Sequence, residues 1–454
     1  MFRLKEMLIT MSKQLDILNG SIWDKALKFA IPLALTGMLQ QIFSATDVAV
    51  LGRFVGAEAM AGVGSNAPFV SLLINGFVGV AIGANVVIAN YIGQGDEKKV
   101  EKATHTAWML AVISGLVVAV FGRLAIGPAM NILGVPSEVE SYSRMYLAIY
   151  FAGAPFIMLY NFEAAIFRSV GKTQIPLIAL TCGGVLNVLC DIFLVLKLGM
   201  SADGVAYATV LANVVSSMIL FVCLLKEKSM IRINIRKLSI DKAIMIRILK
   251  IGVPSGVQSM VFSISNLCVQ SAINSLGPAA MAAGSASFNI EIFAYYIINA
   301  FGQTVVTFAG QSYGAGNKKR VRDSLKQITI LSEIVTIVVM ILILVFLNQL
   351  CGLFSKDPEI MALSAVRVKC LIYFEWMNVF MENLSSVLRG IGKSLGPAII
   401  TLVSVCGTRI VWVYTIFAQT KSWLVLSSVY PISWAICVTI LAVLYVKTKR
   451  KILC

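Results

Sequence analysis

The chain has 454 residues, 58% of them hydrophobic and 13% charged, with a mean hydropathy of +0.85. These values exclude a soluble globular domain and a disordered chain. A formal charge of +16 points to nucleic acid only until the charges are placed along the sequence.

Twelve windows of about 20 apolar residues, each able to span the ~30 Å hydrocarbon layer as a helix, begin near residues 25, 60, 103, 141, 174, 203, 243, 280, 325, 360, 395 and 423. The first carries Pro32 and Asp47, lacks a small-residue cleavage site, and reads as a span rather than a signal peptide. With the termini and even-numbered loops inside, the cytoplasmic side holds 29 of the 38 Lys and Arg. That asymmetry predicts a multi-pass plasma-membrane protein with both termini cytoplasmic. The basic excess then belongs to topology and anionic headgroups, with no nucleic-acid partner expected. Nine scattered cysteines without a CxxC pair suggest neither disulfides nor a thiolate metal site. One histidine, His105, gives a zinc centre or a His-based triad little to work with.

Two carboxylates lie inside these apolar windows. Asp47 is in a segment running from Lys28 to Arg53 and Asp191 in one running from Lys172 to Lys197; each is six residues inside the outer end, about 9 Å of helix rise. Intramembrane acids are expensive and mark functional sites. At one depth the pair can share a cation or a proton; in the blander reading each pairs with nearby Arg53 or Lys197.

The chain also repeats at an offset of 221 to 222 residues. LKFAIP from Leu27 matches LKIGVP from Leu249, GAEAMAG from Gly56 matches GPAAMAA from Gly277, GQGDEKKV from Gly93 matches GAGNKKRV from Gly314, and FRSVGKTQIP from Phe167 matches LRGIGKSLGP from Leu388. Six spans separate the copies, so the halves are parallel repeats with a substrate site expected at their interface. The expected organisation is all-α, twelve transmembrane helices in two six-helix bundles. Residues 1–225 form the N-lobe, 226–250 a basic cytoplasmic link with the start of helix 7, and 251–454 the C-lobe. Pro32 and Pro254 predict kinks in the leading helices, and a kink at Pro32 is a candidate moving part. Gly93, Gly95, Gly314 and Gly316 predict left-handed span ends.

Together the twelve spans, the Pro of each leading helix and the segments FAGQSYGAGN and LRGIGK resemble the multidrug and toxic compound extrusion (MATE) family, over residues 20–446. The resemblance implies a secondary efflux transporter, not an enzyme. It would be a monomer exchanging inward-moving H⁺ or Na⁺ for an outgoing cationic or amphipathic small molecule by alternating access, with no cofactor. The DinF-like N-lobe cation site maps onto Asp47, Asn187, Asp191 and Thr209, with Na⁺ at the first three as one option. Asn187 and Asp191 at i, i+4 share a helix face, and oxygen-rich side chains suit a hard cation. At the corresponding C-lobe positions the repeat has Thr408 and Trp412, the seventh span carries no charge between Lys250 and Gly277, and Asn378 stands where one branch has Asp. Coupling is therefore expected in the N-lobe alone.

Glu163, Glu291, Asn378 and Glu382 are candidate cleft residues, with Glu375 a further one. For Glu291 an ion pair with Arg409 is the competing expectation, and for Glu163 a pair with Arg168. Most aromatics, such as Phe151, Tyr160, Phe288 and Tyr295, read as packing or lipid-facing. A flippase for lipid-linked saccharides is the alternative function, although a pyrophosphate cargo asks for more intramembrane Arg and Lys. An intramembrane enzyme lacks a nucleophile–base pair or metal cluster in the sequence.

Overall fold

The computed structural model describes residues 15–133 and 135–453, all helix and connecting turns with no strand among them. The expected cytoplasmic position of residues 1–24 falls partly outside the described residues, as does Cys454. The helices are α1 (Trp23–Phe54), α2 (Ala57–Gly64), α3 (Ala67–Gln94), α4 (Glu97–Leu133), α5 (Ser137–Ala152), α6 (Ala154–Ser169), α7 (Gln174–Leu196) and α8 (Ala202–Lys226) in the first repeat. The second repeat has α9 (Lys242–Asn274), α10 (Pro278–Gly314), α11 (Lys318–Val345), α12 (Leu347–Phe354), α13 (Pro358–Ile372), α14 (Glu375–Gly390), α15 (Leu395–Thr420) and α16 (Trp423–Thr448).

Among the described residues ten helical segments are long and apolar enough to cross a membrane, and the pair α5–α6, bent by 51°, makes an eleventh. The bend falls at Gly153, followed by Pro155 in the first turn of α6, where the missing N–H interrupts the helical ladder. The remaining window, the tenth in chain order, forms α13 and α14, interrupted at Tyr373–Phe374, 221 residues after the first break. It carries Glu359, Arg367, Lys369, Glu375, Glu382 and Arg389, and is correspondingly less apolar than the others. All twelve windows are therefore helical, and the bent fourth span has its counterpart in the tenth.

The chain packs as two compact units. One contains Leu35–Gly256, and the other contains Val257–Cys454 together with Ile17–Ala34. Each leading helix is thus shared: α1 passes between units two residues after Pro32, and α9 does so two residues after Pro254. In the first unit the opening turns of α9 lie directly on α3. A Cβ added to Gly79 would sit 2.2 Å from the Gly256 backbone N, and one on Gly83 would sit 2.4 Å from the Ile248 carbonyl. Small residues let backbones approach closely where the surrounding lipid supplies no hydrophobic driving force. In the second unit, the Arg320 guanidinium of α11 donates to the carbonyls of Ile17 at 2.8 Å, Asn19 at 3.1 Å and Gly20 at 3.2 Å. Phe29, fully buried, meets Phe308 edge-on at 5.8 Å.

Of the four predicted left-handed glycines, Gly95 (φ 69°) and Gly316 (φ 70°) adopt that conformation. Gly93 and Gly314 remain in the last helical turn: one left-handed residue suffices to close each helix end. Phe151 and Tyr160 are buried packing residues, while Phe288 and Tyr295 are exposed.

Candidate functional site

The first unit brings Asp47, Asn187, Asp191 and Thr209 together. Helix α7 buries one face at four-residue spacing, through Ala179, Gly183, Asn187, Asp191 and Val195. Gly183 lets that face approach α8: a Cβ there would lie 2.6 Å from the Ala212 carbonyl. Ser216 on α8 donates to the Ala179 carbonyl at 3.1 Å and fixes the register. With the helices so aligned, Asp191 faces Asp47, and Asn187 joins the same group. From α8, Thr209 Oγ1 donates to Asp47 Oδ2 at 2.9 Å while staying 2.9 Å from the Val205 carbonyl.

The polar accounting of this group is incomplete. Asp191 is fully buried, and Asp47 and Asn187 are nearly so. Asp47 Oδ1, both Asp191 carboxylate oxygens and Asn187 Nδ2 have no hydrogen-bond partner. Neither aspartate pairs with Arg53 or Lys197, so the interfacial reading does not describe them. Two carboxylates facing one another without a donor between them repel unless a cation or a proton joins them. The donor set is also oxygen-rich, as H⁺, Na⁺ and other hard cations require. One helical turn from Asp47, Asp191 and Thr209, the apolar residues Val50, Leu51, Val195 and Val205 pack with Ala59, Val63 and Ala202 and seal the site on that side.

The sequence reading did not include Tyr146 and Tyr150 of α5. Their rings stack at 5.8 Å, and the Tyr146 phenol faces Thr209 and both aspartates. A legible signal existed: Tyr142, Tyr146 and Tyr150 recur every four residues, which puts them on one helix face, and Tyr142 also packs on the apolar seal.

The cleft candidates lie elsewhere. Glu163, fully buried on α6, accepts from Trp108 Nε1 at 3.1 Å and not from Arg168, whose guanidinium donates to the backbone carbonyls of Ala164 and Asn161. In the second unit Glu291 pairs with Arg367 at 3.2 Å rather than with Arg409. Glu382 accepts from Arg389 at 2.6 Å and from Ser386 at 3.1 Å. Asn378 donates to Glu375 at 2.7 Å. The structure therefore gathers the four N-lobe residues and distributes the cleft candidates over separate contacts. Helix α1 runs through Pro32 without a break. A surface cavity of about 370 Å³, lined by Glu97, Lys98, Glu101, Ser229, Arg232 and Asn234, holds none of the candidate residues.

Twelve spans in two repeats, with a buried acidic cluster inside one of them, define a polytopic membrane transporter rather than an enzyme. The MatE family profile matches the chain twice, over residues 32–193 and 254–415, with the matches starting 222 residues apart as the internal repeat requires. The chain belongs to the MatE family of multidrug efflux transporters. It is 27% identical over 429 residues to the "Probable multidrug resistance protein YoeA" of Bacillus subtilis, covering 92% of this chain and 91% of the relative. It is 29% identical over 398 residues to the "Probable multidrug resistance protein NorM" of Thermotoga maritima, covering 86% and 84%. Among solved structures, one described as the outward-facing conformation of a multidrug resistance MATE family transporter superposes with a TM-score of 0.87 at 22% identity, covering 97% of this chain and 99% of that one. A MOP superfamily transporter from Pyrococcus furiosus superposes with a TM-score of 0.88 at 22% identity, covering the same shares.

Proposed function

We propose that the protein is a cytoplasmic-membrane antiporter that exports amphipathic small molecules in exchange for H⁺ or Na⁺. The supporting observation is the group formed by Asp47, Asn187, Asp191 and Thr209, in which three carboxylate oxygens are buried without a donor. A bound cation or proton removes the repulsion between the aspartates, so binding it favours a conformation in which the apolar layer around Val50 and Val195 stays packed. Losing it favours opening that layer. Cargo and ion then compete through the same equilibrium, as alternating access requires. Both ions use the same carboxylates: Na⁺ adds the oxygens of Asn187 and Thr209 as ligands, and H⁺ needs only a carboxyl.

The protein acts as a monomer with both termini cytoplasmic, and Pro32 gives α1 a place to bend. Cationic cargo is not held by Glu291 or Glu382 as free carboxylates, because each is engaged by an arginine; Glu163 and Glu375 are the candidate intramembrane acids held by neutral donors instead. The lipid-linked saccharide alternative is disfavoured for a related reason: a pyrophosphate asks for several free cations, and Arg367 and Arg389 already carry ion pairs, which leaves Arg409 alone among the buried arginines of the second unit. The test is cargo-stimulated ion flux in proteoliposomes, with Na⁺ and pH varied separately. Flux that follows neither gradient would refute the antiport reading, and flux that follows one of them would name the ion.

A further inference from the structure

The second unit contains a buried charge that its own carboxylates leave uncompensated. Arg409, only 1% exposed, projects from α15 between two π-helical stretches, Leu402–Gly407 and Val413–Phe417. Such widened turns re-aim side chains and recur at functional sites. Its Nη1 donates to Asn266 Oδ1 at 2.9 Å, and its guanidinium lies 4.3 Å from the Tyr430 ring centroid and 5.0 Å from that of Phe262. Arg367, also buried, approaches the same tyrosine: its guanidinium lies 5.3 Å from the ring centroid, and its Nη2 is 3.4 Å from the phenol oxygen.

Two guanidiniums therefore share one aromatic ring, and a single carboxylate, Glu291, pairs with one of them. Arg409 Nε and Arg367 Nε are both buried without a partner. Glu375 is the other acid within electrostatic range, but its Oε1 is taken by Asn378 and it forms no ion pair with Arg409. An uncompensated buried charge is strongly unfavourable. A planar carboxylate is the group whose geometry a guanidinium fork matches in two parallel hydrogen bonds. Asn266, itself exposed, and the half-buried Phe262 one turn before it border the guanidinium.

The geometry points to a carboxylate-binding site for cargo at Arg409 and Arg367, in which Phe262 and Tyr430 flank an aromatic acid and Glu291 is the internal competitor for Arg367. This rests on the efflux reading but assigns a distinct chemistry: the cargo class includes aromatic monoacids and zwitterions carrying such a group. Neutral aromatic cargo can occupy the flanking rings without engaging the charges.

The experiment is equilibrium dialysis of radiolabelled 2-naphthoate and 2-naphthamide against the full chain in phosphatidylcholine nanodiscs at neutral pH. Naphthoate should bind about tenfold or more tightly than the amide, the effect of one charge-assisted hydrogen-bonded pair. Arg409→Gln should bring naphthoate down to the level of the amide, and Arg409→Lys should retain part of the difference. Glu291→Gln, which frees Arg367, should instead tighten naphthoate binding; that gain cannot come from a misfolded protein. Equal binding of the two probes to the unaltered chain, or no tightening by Glu291→Gln, would overturn the proposal. So would loss of naphthoate binding on adding phosphatidylglycerol, which would assign the guanidiniums to lipid. Because binding is read without a gradient, failure of ion-coupled efflux would leave these outcomes unaffected.

Discussion

Replacing Asp47 by Asn separates the stability of the acidic site from its function. The side chain keeps its shape and a carbonyl oxygen, so the 2.9 Å bond from Thr209 survives. It also gains an amide donor facing Asp191, whose two oxygens have none. A hydrogen bond to a charged group contributes about 1.5–3 kcal/mol, so the variant should melt a few degrees higher than the unaltered protein, by the usual conversion for larger domains. Transport moves the opposite way. One net charge entering across roughly 150 mV supplies about 3.4 kcal/mol at 2.3 kcal/mol per 100 mV, enough for a cargo gradient of about 300-fold. Without ion binding that ratio should fall to one. The assay is uptake of an uncharged fluorescent amphiphile, for which each ion exchanged moves one net charge, into inverted proteoliposomes under a valinomycin-clamped potential, alongside thermal unfolding of the same preparation. Full gradient-driven accumulation by a well-expressed Asp47→Asn, Asp191→Asn double variant would refute the coupling site. A lower melting temperature for Asp47→Asn would refute the unpartnered-carboxylate reasoning behind it.

Further expectations concern packing, pH and assembly. Thr209→Ala removes the hydrogen bond to Asp47 Oδ2 and should weaken ion-driven efflux without abolishing it, measured as initial rate in the same vesicles. Between α6 and α7, Lys172 Nζ lies 2.8 Å from Glu227, with both side chains mostly buried. Burial pushes the Glu227 carboxyl up, but the Lys172 ammonium and the backbone N–H groups of Lys228 and Ser229 outweigh it and hold the group below its ordinary range. A carboxyl lowered in the folded state stabilises above its unfolded pKa, near 4.3, and that contribution is lost as pH falls below it. Melting temperature should therefore drop on acidification through pH ~4, and Glu227→Gln should remove that component while lowering stability at neutral pH by up to about 3–5 kcal/mol. Gly79→Ala forces a Cβ to within 2.2 Å of the Gly256 backbone and should cost about 1–3 kcal/mol, read as a lower melting temperature. Halves divided near Ser229 should assemble when co-expressed and recover transport; recovery of folded protein from one half alone would count against the shared helices.

The acidic site was readable because its members obey helical arithmetic. Asn187 and Asp191 fall one turn apart on one helix, and Asp47 and Thr209 reach the same depth by residue count from their span ends. Tyr146 escaped notice because tyrosine is ordinary near a membrane interface, and only its spacing with Tyr142 and Tyr150 set it apart. The partner of Glu291 was misjudged for a geometric reason. Residue count puts both Arg367 and Arg409 near the depth of Glu291, and only the packing of α13 on α10 selects Arg367. The repeat identified which segments are equivalent but not which ones touch. Even so, Gly79 and Gly83, with Gly252 and Gly256 at the same four-residue spacing, carried the mark of a close helix crossing.

That crossing imposes an order on synthesis. The groove at Gly79 and Gly83 is filled by residues that leave the ribosome about 170 positions later, which at ~5–20 residues per second is roughly 10–30 s. Throughout that interval the first unit stands in the bilayer with a backbone-deep furrow on α3 open to lipid or to another nascent chain. Ile17–Ala34 waits longer still, about 280–300 positions, for Phe308 and Arg320. Each half thus holds the piece the other lacks, and neither unit can finish folding until the link from 226 to 241 has been made.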